Sequence, residues 1–437
     1  MPSKKPSAIT VAVVTRRILR HAAMAAQSAL TTRERGAIVA PPGHSASRPP
    51  GGTLMKHGFK VMDSDLHTME PDDLWVRYLD EPFKSFAPTF TRRTENASNQ
   101  PLIRIGDLEI GEMSKRPHTA AVGKDLQRRA FTRSPHYEVA HARGYDAASH
   151  VQAMDIEGID VAILYGTRGR QVQMHDDLDP RVADALARAH NTWTYEYCQY
   201  APTRLKFAAQ VAFHDPVLAA REARRAVREL GAVAVIGNPN PINGRHVHDP
   251  ELEPLWEAIE ELGVPVGFHP TGQASLRDDI ARRYLDHPNG RVIGVAGRNP
   301  VELMFAFASM AAGGVLERHP RLRCAFLEGT CGWLPWWLWR LDEAWEKFGP
   351  GSDVQISGLP SEYFYRQCYV ATDADEKVLR HVVEAIGDDN IVVSTDYPHS
   401  DGLFPEAINE FVALEGVSDK TKAKILWDNC ARLYALA

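Results

Sequence analysis

Asp63, Asp65 and His67 occupy alternate positions in FKVMDSDLHTMEP (residues 59–71), a stretch whose Phe59, Val61 and Met62 read as the start of a buried strand. Side chains two apart on a strand share a face, so three ionisable groups are expected on one side of a core element. A buried charge without a partner costs several kcal/mol or titrates until it is neutral. Similar groups close other apolar runs: His269 in VPVGFHP, Glu328 in RCAFLEG, and Asp396 with His399 in IVVSTDYPH. Two imidazoles and two carboxylates drawn from these strand ends make a divalent-metal set, with N and O donors that suit zinc and also accept manganese or iron. Such an ion offsets the carboxylates and replaces their lost hydration. Asp63, one pleat deeper than Asp65, is then an N–H acceptor beside the site rather than a ligand. Taken singly, each residue also has a plain structural reading, as a hydrogen-bonded histidine or a turn-capping aspartate. Their recurrence at successive strand ends favours the functional one.

The elements that must position these groups alternate along the chain. Strand patterns lie at 59–67, 161–166, 205–213, 232–239, 264–270, 323–329, 368–373 and 391–399. Helix patterns separate them: DPVLAAREARRAVRELG from Asp215–Pro216 to Gly231, DPELEPLWEAIEELG from Asp249–Pro250 to Gly263, and DADEKVLRHVVEAIG from Asp373 to Gly387. Each opens on an aspartate and closes on a glycine, the usual start and stop signals. Strands alternating with helices of this length predict an α/β protein with a parallel sheet. Eight in succession predict a closed (β/α)8 TIM barrel, whose chemistry sits at the carboxyl ends of the strands. An open dinucleotide-binding sheet is disfavoured, because no GxGxxG follows an early strand.

Two regions interrupt the alternation. Residues about 84–140, after the first strand, contain the hairpin-like LIRIGDLEIG and are expected to form an inserted cap over the barrel mouth. Residues 271–300 are expected to form a second lid. Residues 1–54 hold many Arg and Lys, one acidic residue (Glu34) and the loop-like APPGHSASRPPGG. They read as a disordered extension ahead of a functional chain beginning near Met55, or as a basic amphipathic targeting helix. The barrel is placed in 55–437.

Of the 437 residues, 44% are hydrophobic and 24% charged, enough to bury a large core, and the formal net charge of −6 supports neither nucleic acid nor an anionic membrane as partner. The five cysteines form no CxxC pair and their number is odd, which fits a reduced, cytoplasmic chain. No apolar run approaches the ~20 residues that span a bilayer.

DSDLHTMEP, GFHP, FLEGTCGW and VVSTDYPH together resemble the successive signatures of the amidohydrolase-related (amidohydrolase 2) family, metal-dependent TIM barrels with decarboxylases among them. The resemblance runs from about Lys60 to the C-terminus. It implies one divalent ion held by Asp65, His67, His269 and Asp396, with zinc the first expectation. It implies a small organic acid or related carbonyl compound as substrate, and a homodimer or higher homo-oligomer. Decarboxylase members carry an acid/base histidine at the end of the sixth strand, where Glu328 stands here. A carboxylate there can relay protons if burial raises its pKa, alongside Asp396. Non-oxidative decarboxylation is therefore the expected reaction, with metal-activated-water hydrolysis of an amide, imide or lactone as the alternative. A metal-free ligand-binding barrel is the alternative of another class.

In WLPWWLWRLDEAW, Trp337 is a candidate substrate contact or part of an apolar packing face. By the resemblance, Arg340 is a candidate for a substrate carboxylate, reached from a neighbouring subunit, unless it pairs with Asp342 or Glu343. His399 completes the substrate-binding candidates. His214, His246 and His248 lie in loops before helices and are read as local hydrogen-bonding groups.

Overall fold

The computed structural model describes residues 56–91, 102–110, 135–270, 278–284, 287–399 and 402–436. The N-terminal segment 1–54 and parts of the two expected lids (92–101, 111–134, 271–277 and 285–286) lie outside the described residues. The apolar runs form eight parallel strands in sequential order: β1 (Met62–Thr68), β2 (Val161–Gly166), β3 (Leu205–Ala209), β4 (Ala234–Gly237), β5 (Val266–Phe268), β6 (Cys324–Phe326), β7 (Cys368–Asp373) and β8 (Ile391–Ser394). This is the expected (β/α)8 architecture.

Helices α1 (Ala147–Glu157), α2 (Pro180–Cys198), α3 (Pro216–Leu230), α4 (Glu253–Leu262), α5 (Gly290–Ala312), α6 (Leu334–Phe348) and α7 (Leu379–Ile386) fall between successive strands. The start signals act as the residue types require. Asp215 caps α3, accepting from the Val217 and Leu218 amides at 2.9 and 3.1 Å, and Gly231 ends it in the left-handed region. Around DADEKVLRHVVEAIG the expectation fails at its start. Asp373 completes β7, paired in register with Ser394, and α7 begins only at Leu379. The sheet contact outweighs the local helix-start signal.

The barrel closes between β8 and β1, and there side chains carry the bonding. Ser64 Oγ donates to the Val393 carbonyl (2.6 Å), Ser394 Oγ to the Asp65 carbonyl (3.4 Å), and the His67 amide to the Tyr397 carbonyl (2.8 Å). Asp63 spans the same seam, accepting from the Asp65 and Thr395 amides at 3.0 and 3.1 Å. The register explains why. Asp63 faces Ala162 and Leu66 faces Leu164, so β1 contains one extra residue, a bulge. The three ionisable groups of β1 are therefore not equivalent: the bulge separates Asp63 from Asp65 and His67.

Between the barrel and its helices Phe268 and Phe326 stack with ring centroids 5.5 Å apart, Phe268 also against Trp256 of α4 and Phe326 against Phe307 of α5. Gly267 has no room for a side chain, because an added Cβ would stand 2.2 Å from the Tyr165 hydroxyl. LIRIGDLEIG forms the strands Leu102–Ile105 and Leu108–Ile110, which pair antiparallel with each other, and Leu102–Ile105 pairs antiparallel on its other edge with Thr89–Thr91. Their Ile103 and Ile105 pack in one cluster with Val172 and Ala212, beyond the carboxyl ends of β2 and β3. Among the described residues no helix is long and apolar enough to cross a membrane.

Candidate metal centre

At the carboxyl ends of β1, β5 and β8, four side chains approach one another. His67 Nε2 lies 3.5 Å from Asp65 Oδ1, 3.2 Å from His269 Nε2 and 3.1 Å from Asp396 Oδ1. His269 Nε2 lies 3.4 Å from Asp65 Oδ1. An ion with bonds of about 2.1 Å holds its donors roughly 3.0–3.4 Å apart, so the spacing of Asp65, His67 and His269 suits a single first-row cation, with Asp396 within ligand spacing of His67. Both Asp65 oxygens and Asp396 Oδ1 are buried without a hydrogen-bond partner among the described residues. Asp65, His67 and His269 are fully buried. Orphaned carboxylate oxygens facing two imidazole nitrogens are an arrangement a cation would satisfy.

Protonation follows from the same burial. Burial, reinforced by His399, holds His67 well below the ordinary imidazole value, which keeps it neutral and ligand-competent. Burial and Arg170 push His269 the same way, but Asp65 and Glu328 outweigh them and lift it to about 9. An incoming ion would displace that proton. Burial raises Asp63 to about 8 against its two amide donors.

Glu328 sits on the far side of His269, with Oε2 2.9 Å from Nδ1. A carboxylate on Nδ1–H leaves Nε2 for a metal and fixes the ring. The expectation that burial lifts Glu328 toward neutrality does not hold. Burial acts in that direction, but the His269 imidazolium outweighs it and keeps the carboxyl below its usual range. Glu328 and Thr330 both have positive φ (55° and 57°), a conformation costly for such residues. The loop is braced by Glu376, which accepts from the Cys331 amide at 3.0 Å and the Gly332 amide at 2.8 Å.

Asp396, also at positive φ (56°), keeps 20% of its side chain exposed, unlike Asp65. Its Oδ1 lies 2.8 Å from His399 Nδ1. The His399 ring stacks on His67 with centroids 4.0 Å apart, and its Nε2 meets Thr167 Oγ1 at 3.0 Å. His67, Asp396 and His399 thus form a second trio within ligand spacing, so His399 stands beside the donor cluster.

The remaining sequence candidates fall elsewhere. Trp337 donates from Nε1 to the Met304 carbonyl on α5 (2.8 Å) and packs edge-on against Phe305. Arg340, 41% exposed, pairs with Glu343 at 2.8 Å on its own helix. His214 bonds the His175 carbonyl at 2.8 Å, and His246 stacks on His248. Two groups near the centre escaped the sequence reading: Arg170, beside His269, and the Glu70–His190 pair (2.9 Å) beneath it. The signal for Arg170 was GTRGR at the end of β2, where two glycines and two arginines follow an apolar strand.

A profile of the amidohydrolase family matches residues 130–436. The γ-resorcylate decarboxylase of Polaromonas sp. strain JS666 is 28% identical over 296 residues, which cover 65% of this chain and 86% of that protein. The fold is similar to a crystal structure of an amidohydrolase from Mycobacterium avium subsp. paratuberculosis K-10, with a TM-score of 0.68 and 24% identity over 86% of this chain and 99% of that one. It is also similar to a dihydroxybenzoic acid decarboxylase from Polaromonas sp. JS666 with bound manganese and the inhibitor 2-nitroresorcinol, with a TM-score of 0.60 and 23% identity over 86% and 97% of the two chains.

Elemental analysis of the purified protein is expected to give one divalent ion per chain. His67→Ala and Asp65→Asn should each lower metal affinity by more than about 100-fold, and Glu328→Gln, which removes only the carboxylate behind His269, by about 10- to 100-fold. Full metal retention in His67→Ala would contradict this centre.

Proposed function

The chain belongs to the amidohydrolase family, whose profile covers residues 130–436, and on that premise we propose that it is a divalent-metal carboxy-lyase that decarboxylates a small organic acid. Asp65, His67, His269 and Asp396 would hold the ion. Zinc suits two imidazoles and two carboxylates, and manganese, present in the Polaromonas structure, is the first alternative. Bound there, the ion supplies positive charge at the substrate oxygens as the carbon–carboxylate bond breaks.

The observation that carries decarboxylation over hydrolysis is the commitment of Glu328 to His269 Nδ1 at 2.9 Å. Its Oε2 is engaged by that ring and its carboxyl is held below the usual range, which makes it a weak base toward water. The two chemistries share the other groups. In the decarboxylating cycle the electron pair of the breaking bond stays on carbon, and a proton must reach that carbon as CO₂ departs. Of the two carboxylates in the ligand set, Asp396 keeps 20% of its side chain exposed and contacts His399, so it is the one placed to pass that proton. The fully buried Asp65 has no such route. The curated relative named for γ-resorcylate decarboxylation supports an acid as substrate.

The same reading includes a second copy of the chain as partner. Phe305 on α5 and Trp336 and Trp339 on α6 are 59%, 54% and 58% exposed, a large apolar face of the kind that marks an interface. Arg340 lies on that helix, and its expected role toward substrate belongs to such a dimer. Light scattering should give a dimer mass that falls to the monomer in Trp336→Glu/Trp339→Glu. A wild-type monomer at micromolar concentration would contradict it.

Metal-loaded protein incubated with γ-resorcylate and related hydroxybenzoates, and in parallel with aryl amides and lactones, should release one CO₂ per acid consumed. A chelator should abolish release and added metal restore it. Asp396→Asn should lower turnover by about 10²- to 10⁴-fold. Hydrolysis of the amides or lactones without CO₂ from any acid would overturn the proposal.

A further inference from the structure

The loop after β2 holds a charge that the metal centre does not require. Arg170 is only 4% exposed. Its Nε donates to the Gly166 carbonyl, and its Nη1 donates to the Pro270 carbonyl at 3.0 Å and touches His269 Nδ1. Among the described residues no carboxylate lies within ion-pair distance of it; Glu328 meets it only across His269 Nδ1, which both groups contact. Burying a guanidinium costs several kcal/mol unless an anion compensates it, and carbonyl oxygens return only part of that. Its planar fork has five N–H donors, more than two carbonyls can use.

The position is also expensive to maintain, which argues against an accident of packing. Glu70 accepts from the Thr167, Arg168 and Gly169 amides at 3.0, 2.8 and 3.2 Å and pairs with the buried His190. That set of bonds pins the short helix Arg168–Gln173 from below. The loop then lies so close that a Cβ at Gly166 or Gly169 would stand 2.4 Å from Gln210 Nε2 or His190 Cδ2. Both amide atoms of Gln210 are buried without a partner among the described residues. A buried carboxylate–imidazole pair and two space-restricted glycines thus fix one arginine a single imidazole ring away from the metal donors. Preorganised donors of this kind bind anions without paying an ordering cost at the time of binding.

We propose that Arg170 is a substrate-binding residue, its guanidinium taking a carboxylate oxygen of the acid whose other oxygens meet the metal centre. This role rests on the carboxy-lyase reading and deepens it: the substrate is an acid that presents its carboxylate on the β2–β5 side of the mouth. A guanidinium fork matches a carboxylate in a way a lysine ammonium does not, and it discriminates against the neutral amide. The rival role is positional, with Arg170 merely orienting His269 through Nδ1.

The test uses metal-loaded full-length protein and calorimetric binding of γ-resorcylate, with 2,6-dihydroxybenzamide as the uncharged counterpart. Arg170→Gln is expected to weaken the acid by about 10- to 150-fold, the loss of a charge-assisted contact, and to erase the preference for acid over amide. Metal content and metal affinity should stay within about twofold of wild type, and Arg170→Lys should recover part of the affinity. Unchanged acid binding in Arg170→Gln overturns the role. So does a parallel fall in metal affinity, which would assign Arg170 to positioning His269. A wild-type holoenzyme that binds neither γ-resorcylate nor a panel of other aromatic acids overturns the carboxy-lyase reading, and the role of Arg170 with it.

Discussion

Everything at the mouth of this barrel answers to one electrostatic constraint: the fully buried Asp65 has two oxygens without a hydrogen-bond partner among the described residues, facing the His67 and His269 Nε2 atoms at 3.5 and 3.4 Å. A carboxylate in that state is not stable as an isolated anion. The neighbouring protein groups relieve it only in part, since burial holds His67 well below the ordinary imidazole value and His269 divides its interactions between Asp65 and Glu328. A divalent cation between Asp65, His67 and His269, with Asp396 reaching it beside His67, would resolve the imbalance in one step. The remaining features of the site follow as supports for those donors: Glu328 behind His269, His399 stacked on His67, and Glu376 bracing the strained loop that presents Glu328.

The seam of the barrel and the metal centre are built from the same residues. Where β8 meets β1, closure runs through Ser64, Asp63 and Ser394 side chains rather than a continuous backbone ladder. The bulge in β1 makes this possible, because an extra residue lets Asp63 turn to two amides while Asp65 and His67 stay on the ligand face. Asp63 thus ties the positions of Asp65 and Thr395, the neighbour of Asp396, to each other. Stability and ligand placement are coupled here, and a change that loosens the seam is expected to move the donors.

Much of this was legible in the sequence, and the parts that were not share a cause. The alternation Asp65-x-His67 and the ionisable residues closing β5 and β8 are local patterns, set by the two-residue strand period and the barrel order, so residue types alone could place them at one end. The bulge depends on how β1 registers against β2, which no local pattern encodes. Glu328 was visible as a strand-end carboxylate, but its state is set by His269, far away in sequence. Arg170 was hidden for the same reason: GTRGR looks like a surface loop until Glu70, His190 and Gln210 are brought beneath it. Asp373 looked like a helix cap because its pairing with Ser394 is non-local.

The most direct test of the central claim is anomalous diffraction from crystals of the metal-loaded protein, recorded at the absorption edge of the ion found by elemental analysis. The account predicts one peak per chain, about 2.0–2.2 Å from the facing Nε2 atoms of His67 and His269 and from an oxygen of Asp65 and of Asp396, with His269 Nδ1 hydrogen-bonded to Glu328. A peak elsewhere in the chain, or well-ordered crystals with Asp65 and Asp396 bonded only to water, would contradict it.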